Sequence, residues 1–240
     1  MYSIFISGEV KKWLRDPMTR FMLFYPLLFI VVGRYILPVI ASESGFSLEA
    51  NADYILAALT LMTPLLFGAI IGFSILDDRD DHILVSIRVT PLSVSYFMLF
   101  RLIMVYLFSF AASILVITLS NVGSMGLKDA LLVSFLASLS APVTGLLINL
   151  FANNKIEGFA IMKLVGLLII LPVVALIFHD ARELFFAPIP AYWPAKIIAA
   201  SVRGEESIYL NYNFYFWGGL LYAALLNLVA YRSLSKKLAA

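Results

Sequence analysis

Six stretches of about twenty residues, almost wholly apolar and nearly free of charge, decide what this chain can become. A helix rises about 1.5 Å per residue, so about twenty residues cross a hydrocarbon layer about 30 Å thick. The stretches lie near residues 21–40, 54–76, 93–119, 127–151, 158–178 and 214–231. With 62% hydrophobic and only 13% charged residues, and a mean hydropathy of +0.96, the chain holds more apolar side chain than one soluble core can hide. A soluble domain would carry about a quarter of its residues as charges. The surplus must face lipid, which makes the fold class an all-α integral membrane protein with six transmembrane helices.

The net charge of +2 says less than where the charges fall. Sorting lysine and arginine by the loops that six spans create puts Lys11, Lys12, Arg15, Arg20, Arg79, Arg88, Arg101, Lys155, Lys163, Arg232, Lys236 and Lys237 on one side. The other side keeps only Arg34, Lys128, Arg182, Lys196 and Arg203. Basic residues are retained in the cytoplasm, so both termini are expected there, in a multi-pass protein of the cell (inner or plasma) membrane. The loop at 41–53, with Glu43, Glu49 and Asp53 but no lysine or arginine, agrees. The basic start lacks a small-residue cleavage site and is not expected to be a cleaved signal.

Ahead of the first span, over residues 1–17, a helix would sort Ile4, Phe5, Val10, Trp13 and Leu14 from Glu9, Lys11, Lys12 and Arg15. That pattern predicts an amphipathic helix in the membrane interface, although a simple positive topology anchor would also explain the charges. Asp16-Pro17 ends it, because proline disfavours helix before itself and suits the first position of the next helix. The outer loop at 179–213 carries FFAPIPAYWPAKIIAA, too apolar for a disordered connection. Its Tyr192 and Trp193 suit the headgroup level, so a structured, interfacial or re-entrant element is expected. Residues 232–240 are left as a cytoplasmic tail.

Within the spans, Pro64, Gly68, Gly72, Ser138, Ser140, Pro142, Thr144, Gly145, Asn149 and Pro172 gain nothing from lipid. They suit helix contacts, kinks or a polar route, and Thr60, Thr63, Ser138, Ser140, Thr144 and Asn149 are the candidates for a translocation path. Arg34 and Lys163 sit near span ends, where snorkelling to the interface accounts for them.

No catalytic signature is present: GxxxxGK[ST], HExxH and GxSxG are all missing. Without cysteine, and with only His82 and His179, thiolate and histidine metal sites are excluded or improbable. Asp77-Asp78 and Asp80-Asp81, alongside Arg79 and His82, read as a solvated cluster rather than a Mg²⁺ site. The segment LDDRDDHILVSIRVTPLSVSYFMLFR that contains them is nonetheless the most informative in the chain. Its acidic start suits a helix amino terminus and Arg88 a carboxyl end. Ile83, Leu84 and Ile87 share one face, while Thr90 caps and Pro91 begins the next helix. A short helix held between two spans with an apolar face exposed needs a partner, unless that face dips into lipid.

At these residues the sequence resembles the type 2 ATP-binding cassette exporter permeases. In that family an acidic, arginine-containing segment after the second span leads into a threonine-proline turn and a distal tyrosine or basic residue. Here Asp78, Arg79, Asp81, Leu84, Arg88, Thr90, Pro91, Tyr96 and Arg101 match that pattern, and Arg15-Asp16-Pro17 followed by Pro26 matches a second. The family's usual glutamate-arginine and glycine are replaced by Asp78-Arg79 and Asp81-His82. The resemblance covers nearly the whole chain. It implies a single permease domain over residues 1–240 that is not itself an enzyme. It further implies a second permease subunit, in a homodimer or heterodimer, and two cytoplasmic ATPase subunits that carry the ATP and Mg²⁺. Residues 80–89 would be the coupling helix, with Asp78 through Pro91 and the Trp13, Arg15, Asp16, Pro17 region serving the junction. An amphipathic drug, lipid or peptide is the expected cargo, and nucleic acid is not an expected partner. A secondary transporter or channel without ATP is the other reading, and it would need ionisable residues deep in the bundle.

Overall fold

The computed structural model describes residues 2–81, 83, 87 and 94–239, and within them it is helical with no strand. Its helices are α1 (Tyr2–Arg15), α2 (Pro17–Val31), α3 (Leu37–Ser44), α4 (Ala52–Asp80), α5 (Val94–Leu119), α6 (Leu127–Ser138), α7 (Ser140–Phe151), α8 (Lys155–Ala175), α9 (Tyr192–Arg203) and α10 (Tyr212–Ala239). Six segments are long and apolar enough to cross a membrane: Pro17–Ser44, Glu49–Asp80, Val94–Leu119, Leu127–Phe151, Lys155–Ala175 and Tyr212–Lys237. All six coincide with expected spans. The first is longer than its apolar run and contains a π-turn at Val32–Ile36, where the Leu37 amide reaches back to the carbonyl of Val32. Pro38 lacks an N–H and crowds the carbonyl four residues before it, and the wider turn relieves that conflict.

Helix α4 is the axis: nearly all of it from Leu56 to Leu76 is buried, and α2, α5, α7, α8 and α9 pack around it. Its tightest neighbour is α7. A side chain at Gly68 would strike the carbonyl of Ala141, and one at Gly145 would come within 2.5 Å of Ile71. Glycine at both positions lets the two backbones meet, as small residues do between membrane helices. Asn149 crosses the seam, its amide donating to the carbonyls of Gly72 (3.0 Å) and Gly145 (2.9 Å).

The fourth span is not one helix but two, stepping at Leu139. Pro142 offers no N–H to Ser138 and its ring crowds that carbonyl, which breaks the ladder. The side-chain amide of Asn227 on α10 donates to the carbonyl of Leu139 at the step (2.9 Å). The first half, α6, packs on α5 and α9, while α7 turns inward onto α4.

At the end away from the termini, the chain from 176 to 211 folds into a cap whose core is α9, buried from Tyr192 to Ala200. Lys196, counted in the sequence among outward charges, is fully buried instead. It pairs with the equally buried Glu183 at 2.7 Å and donates to the carbonyl of Phe178 (2.7 Å). Burial pulls the Lys196 ammonium below its ordinary range, against the opposing pull of Glu183. Tyr192 and Tyr215 donate to the same Glu183 carboxylate. Arg203 ties the cap to the start of α4 through Asp53 (2.6 Å) and the carbonyl of Ala50 (2.7 Å).

Gly68→Val should lower stability by about 1–3 kcal/mol, since a backbone carbonyl cannot be displaced without moving α7. Gly8→Ala, where an added Cβ meets nothing within 4 Å, should leave the thermal midpoint in detergent unchanged or slightly raised. Equal midpoints for the two variants would show that the α4–α7 seam is not tight.

Candidate functional site

The informative segment after the second span is built differently from its sequence pattern. Asp77 and Asp78 do not open a short helix: α4 continues through Asp80, so both lie in its last turn. A helix carboxyl end repels carboxylates, and cations must compensate. Nor is Asp78 solvated, being 3% exposed and held by Lys12 (2.5 Å) and by Arg101. Asp77 pairs with Lys155 at 3.0 Å. Arg79 reaches the carbonyls of Asn149 (3.5 Å) and Ala152 (3.4 Å) at the end of α7. Asp80 and Asp81 are exposed.

Arg101 is the centre of this junction. Its side chain is 0% exposed, and its guanidinium donates to Asp78 and Ser74 on α4 and to Glu9 on α1 (2.9 Å). Lys12 adds a bond to the carbonyl of Ser74 (2.9 Å). The face of α1 expected to meet headgroups therefore points inward in part. Trp13 is buried, edge-on to Phe108 on α5 at 5.7 Å, while Ile6, Leu14 and Arg15 are exposed. Asp16 caps α2 through the amide of Met18 (2.9 Å), with Pro17 at the first helical position. Burial raises the Asp16 carboxyl, but bonds from Lys155 (3.0 Å) and Met18 outweigh it and hold the group below the usual carboxylate range.

Ile83, 37% exposed, and the half-buried Ile87 are helical beside this junction. His82, Leu84, Arg88, Thr90 and Pro91 lie outside the described residues. Lys237 joins the same end of the bundle by donating to the carbonyl of Leu150 (2.9 Å).

The candidates for a polar path are buried at helix contacts, Ser140 only in part. Thr63, Ser138 and Thr144 donate to the carbonyl four residues earlier on their own helix, and Ser140 to that of Ala137. Thr60 has no hydrogen-bond partner. Ser140 and Thr144 edge a cavity of about 70 Å³ against α8. Arg34 and Lys163 are exposed on the outside of the bundle, where snorkelling serves both. Among the described residues no group of three or more His, Asp or Glu could hold a metal ion.

Sequence reasoning missed Glu9, Lys12, Ser74 and Lys155 as members of the junction. Glu9 and Lys12 are one turn apart, facing the same way. Arg101 itself is a charge eight residues into an apolar helix, which asks for buried partners.

A family model described as fluoroquinolones export permease protein Rv2686c-like matches residues 9–231. Two Mycobacterium tuberculosis proteins, the fluoroquinolones export permease proteins Rv2686c of strain H37Rv and MT2760 of strain CDC 1551, are each 31% identical to this chain over 214 residues. The alignment covers 86% of this chain and 85% of each relative.

Arg101→Met should destabilise the protein by about 3–5 kcal/mol, because it leaves Glu9 and Asp78 buried without their shared cation. Lys155→Met, at a partly exposed pair, should cost under about 1 kcal/mol. Thermal unfolding of both variants in detergent measures the contrast, and similar losses would remove Arg101 from the centre of the junction.

Proposed function

Because the chain belongs to the Rv2686c-like family of fluoroquinolones export permease proteins, we propose that it is the membrane subunit of an ATP-driven exporter of amphipathic, drug-like molecules. Its energy comes from separate cytoplasmic ATPase subunits of the cassette type, which hold the ATP and Mg²⁺. The carrying observation is the junction at Arg101, where α1, α4 and α5 are clamped beside the exposed Ile83. A force applied by a partner to residues 80–89 passes directly into the ends of two spans. The clamp prevents the segment from yielding alone, and α1 moves with them as a brace.

The surface left bare suits a second permease subunit. The Pro17–Ser44 and Lys155–Ala175 spans are the least covered of the six, and they present Leu27, Leu28, Leu164, Leu167 and Leu168. Two such subunits, identical or sister chains, would enclose the route between them, in the inner or plasma membrane with all termini in the cytoplasm. A substrate shared with the M. tuberculosis relatives would be a fluoroquinolone, a planar amphipathic molecule.

Replacing Ile83 and Leu84 with aspartate should abolish co-purification of the ATPase and export while leaving membrane insertion intact. Unchanged association and export would remove the coupling assignment. In the naturally cysteine-free chain, Ser47→Cys should react with an impermeant maleimide on whole cells, and Ser235→Cys only after permeabilisation.

A further inference from the structure

The step in the fourth span leaves a groove that the mechanism above does not use. Helices α5 and α10 both rest on α7 but make almost no contact with each other. Beyond Leu139, where α6 gives way to the inward-turned α7, no described residue fills the space between them. The result is a cavity of about 390 Å³, lined by Leu102 and Tyr106 of α5, by Leu139, Pro142 and Leu146, and by Asn227 of α10. Towards the terminal end, the Tyr231 hydroxyl joins α10 to α5 by donating to the carbonyl of Ser95 (3.1 Å).

This volume falls in the range of small-molecule pockets, about 300–1,000 Å³. The lining is mostly apolar, and of its polar groups the Asn227 amide and the Tyr231 hydroxyl are already bonded to backbone carbonyls. Tyr106 lines the groove and its hydroxyl, shielded from water, has no hydrogen-bond partner. A buried phenol without an acceptor is unfavourable, so an occupant that supplies one gains a bond absent from the empty groove. A lipid acyl chain has no acceptor to give. A second permease copy is disfavoured too, since the barest spans, α2 with α3 and α8, contribute nothing to the lining.

The geometry points to this groove as a binding site for a planar amphipathic molecule that enters from the lipid and places a carbonyl or carboxylate oxygen on the Tyr106 phenol. This assignment rests on the exporter reading for its class of ligand and deepens it by naming where the ligand first docks. Because the phenol oxygen lies on the ring axis, rotation of Tyr106 about its Cα–Cβ bond is what brings the O–H into the groove, and the apolar walls hold the ring system. Asn227 fixes the width, because its amide is committed to the carbonyls of Leu139 and Ala223 (2.9 Å each).

The probe is norfloxacin, a fluoroquinolone with a ring ketone beside a carboxylate, whose own fluorescence anisotropy reports binding. The full-length chain is placed in nanodiscs of phosphatidylcholine and phosphatidylglycerol, with empty discs as the partition baseline. Tyr106→Phe should weaken binding about tenfold. Ile103→Trp, at the exposed rim of the groove, should abolish it, and Leu131→Trp, exposed on α6 outside the lining, should leave it unchanged. Wild-type binding by both Tyr106→Phe and Ile103→Trp overturns the site. So does native mass spectrometry in which Ile103→Trp loses a retained phospholipid while norfloxacin still binds, which would make the groove a lipid site. Norfloxacin accumulation in cells expressing the wild-type chain with its ATPase tests the exporter reading separately. Failure to lower accumulation overturns that reading, whereas intact export by variants that no longer bind overturns the docking role.

Discussion

The guanidinium of Arg101 is the interaction on which the terminal end of the bundle depends. A cation without water must be paired and hydrogen-bonded or its burial is prohibitive. Arg101 meets that demand only by drawing on Glu9 from α1 and on Ser74 and Asp78 from α4 at once. The planar fork of arginine allows this, whereas a lysine would offer a point charge. The consequence is mechanical: three helices cannot move independently without stranding a buried charge. Helix α1, which by its sequence could have lain loosely on the membrane, becomes part of the bundle.

The same constraint is applied twice along α4. At one end Asp53 is tied to Arg203 of the cap, at the other Asp78 to Lys12 and Arg101. From Tyr54 to Leu76 the helix carries no charge, and it meets α7 through glycine. Polar ties fix where the helix ends sit, while close backbone packing fixes the middle, so α4 behaves as a rod between the two faces of the membrane. The cap at the far end is built on the same logic, with Glu183 and Lys196 buried as a pair and two tyrosines completing the carboxylate.

The spans were legible in the sequence because lipid imposes a length and a polarity on each of them independently of tertiary contacts. Asp16-Pro17 was legible for a similar reason, its capping chemistry being local. Where partners come from distant helices, local pattern misled. Asp77 and Asp78 resemble a helix start by charge, yet they end α4, because Lys12, Arg101 and Lys155 compensate for a dipole that would otherwise repel them. Trp13 has the composition of an interface residue and is buried against Phe108, a contact visible only once α5 lies alongside. Lys196 was read by loop position as an outer charge, and nothing nearby in sequence announces Glu183 as its buried counterion. Pro142 did signal a kink, but its larger consequence, two half-helices with different neighbours, needed the positions of α4 and α5.

That division of the fourth span bears on how a closed bundle opens. The hydroxyls of Ser138, Ser140 and Thr144 are bonded to their own helix, and Asn149 bridges α7 to α4, so these groups line no continuous polar path in this conformation. Opening one inside the subunit would require α7 to leave α4, breaking a glycine seam. The cheaper motion would carry α7 along with α4 and bend the chain at Leu139, where the two half-helices meet and Asn227 bonds the Leu139 carbonyl. Helix α6 would then stay with the cap helix on which it packs, while α7 follows α4.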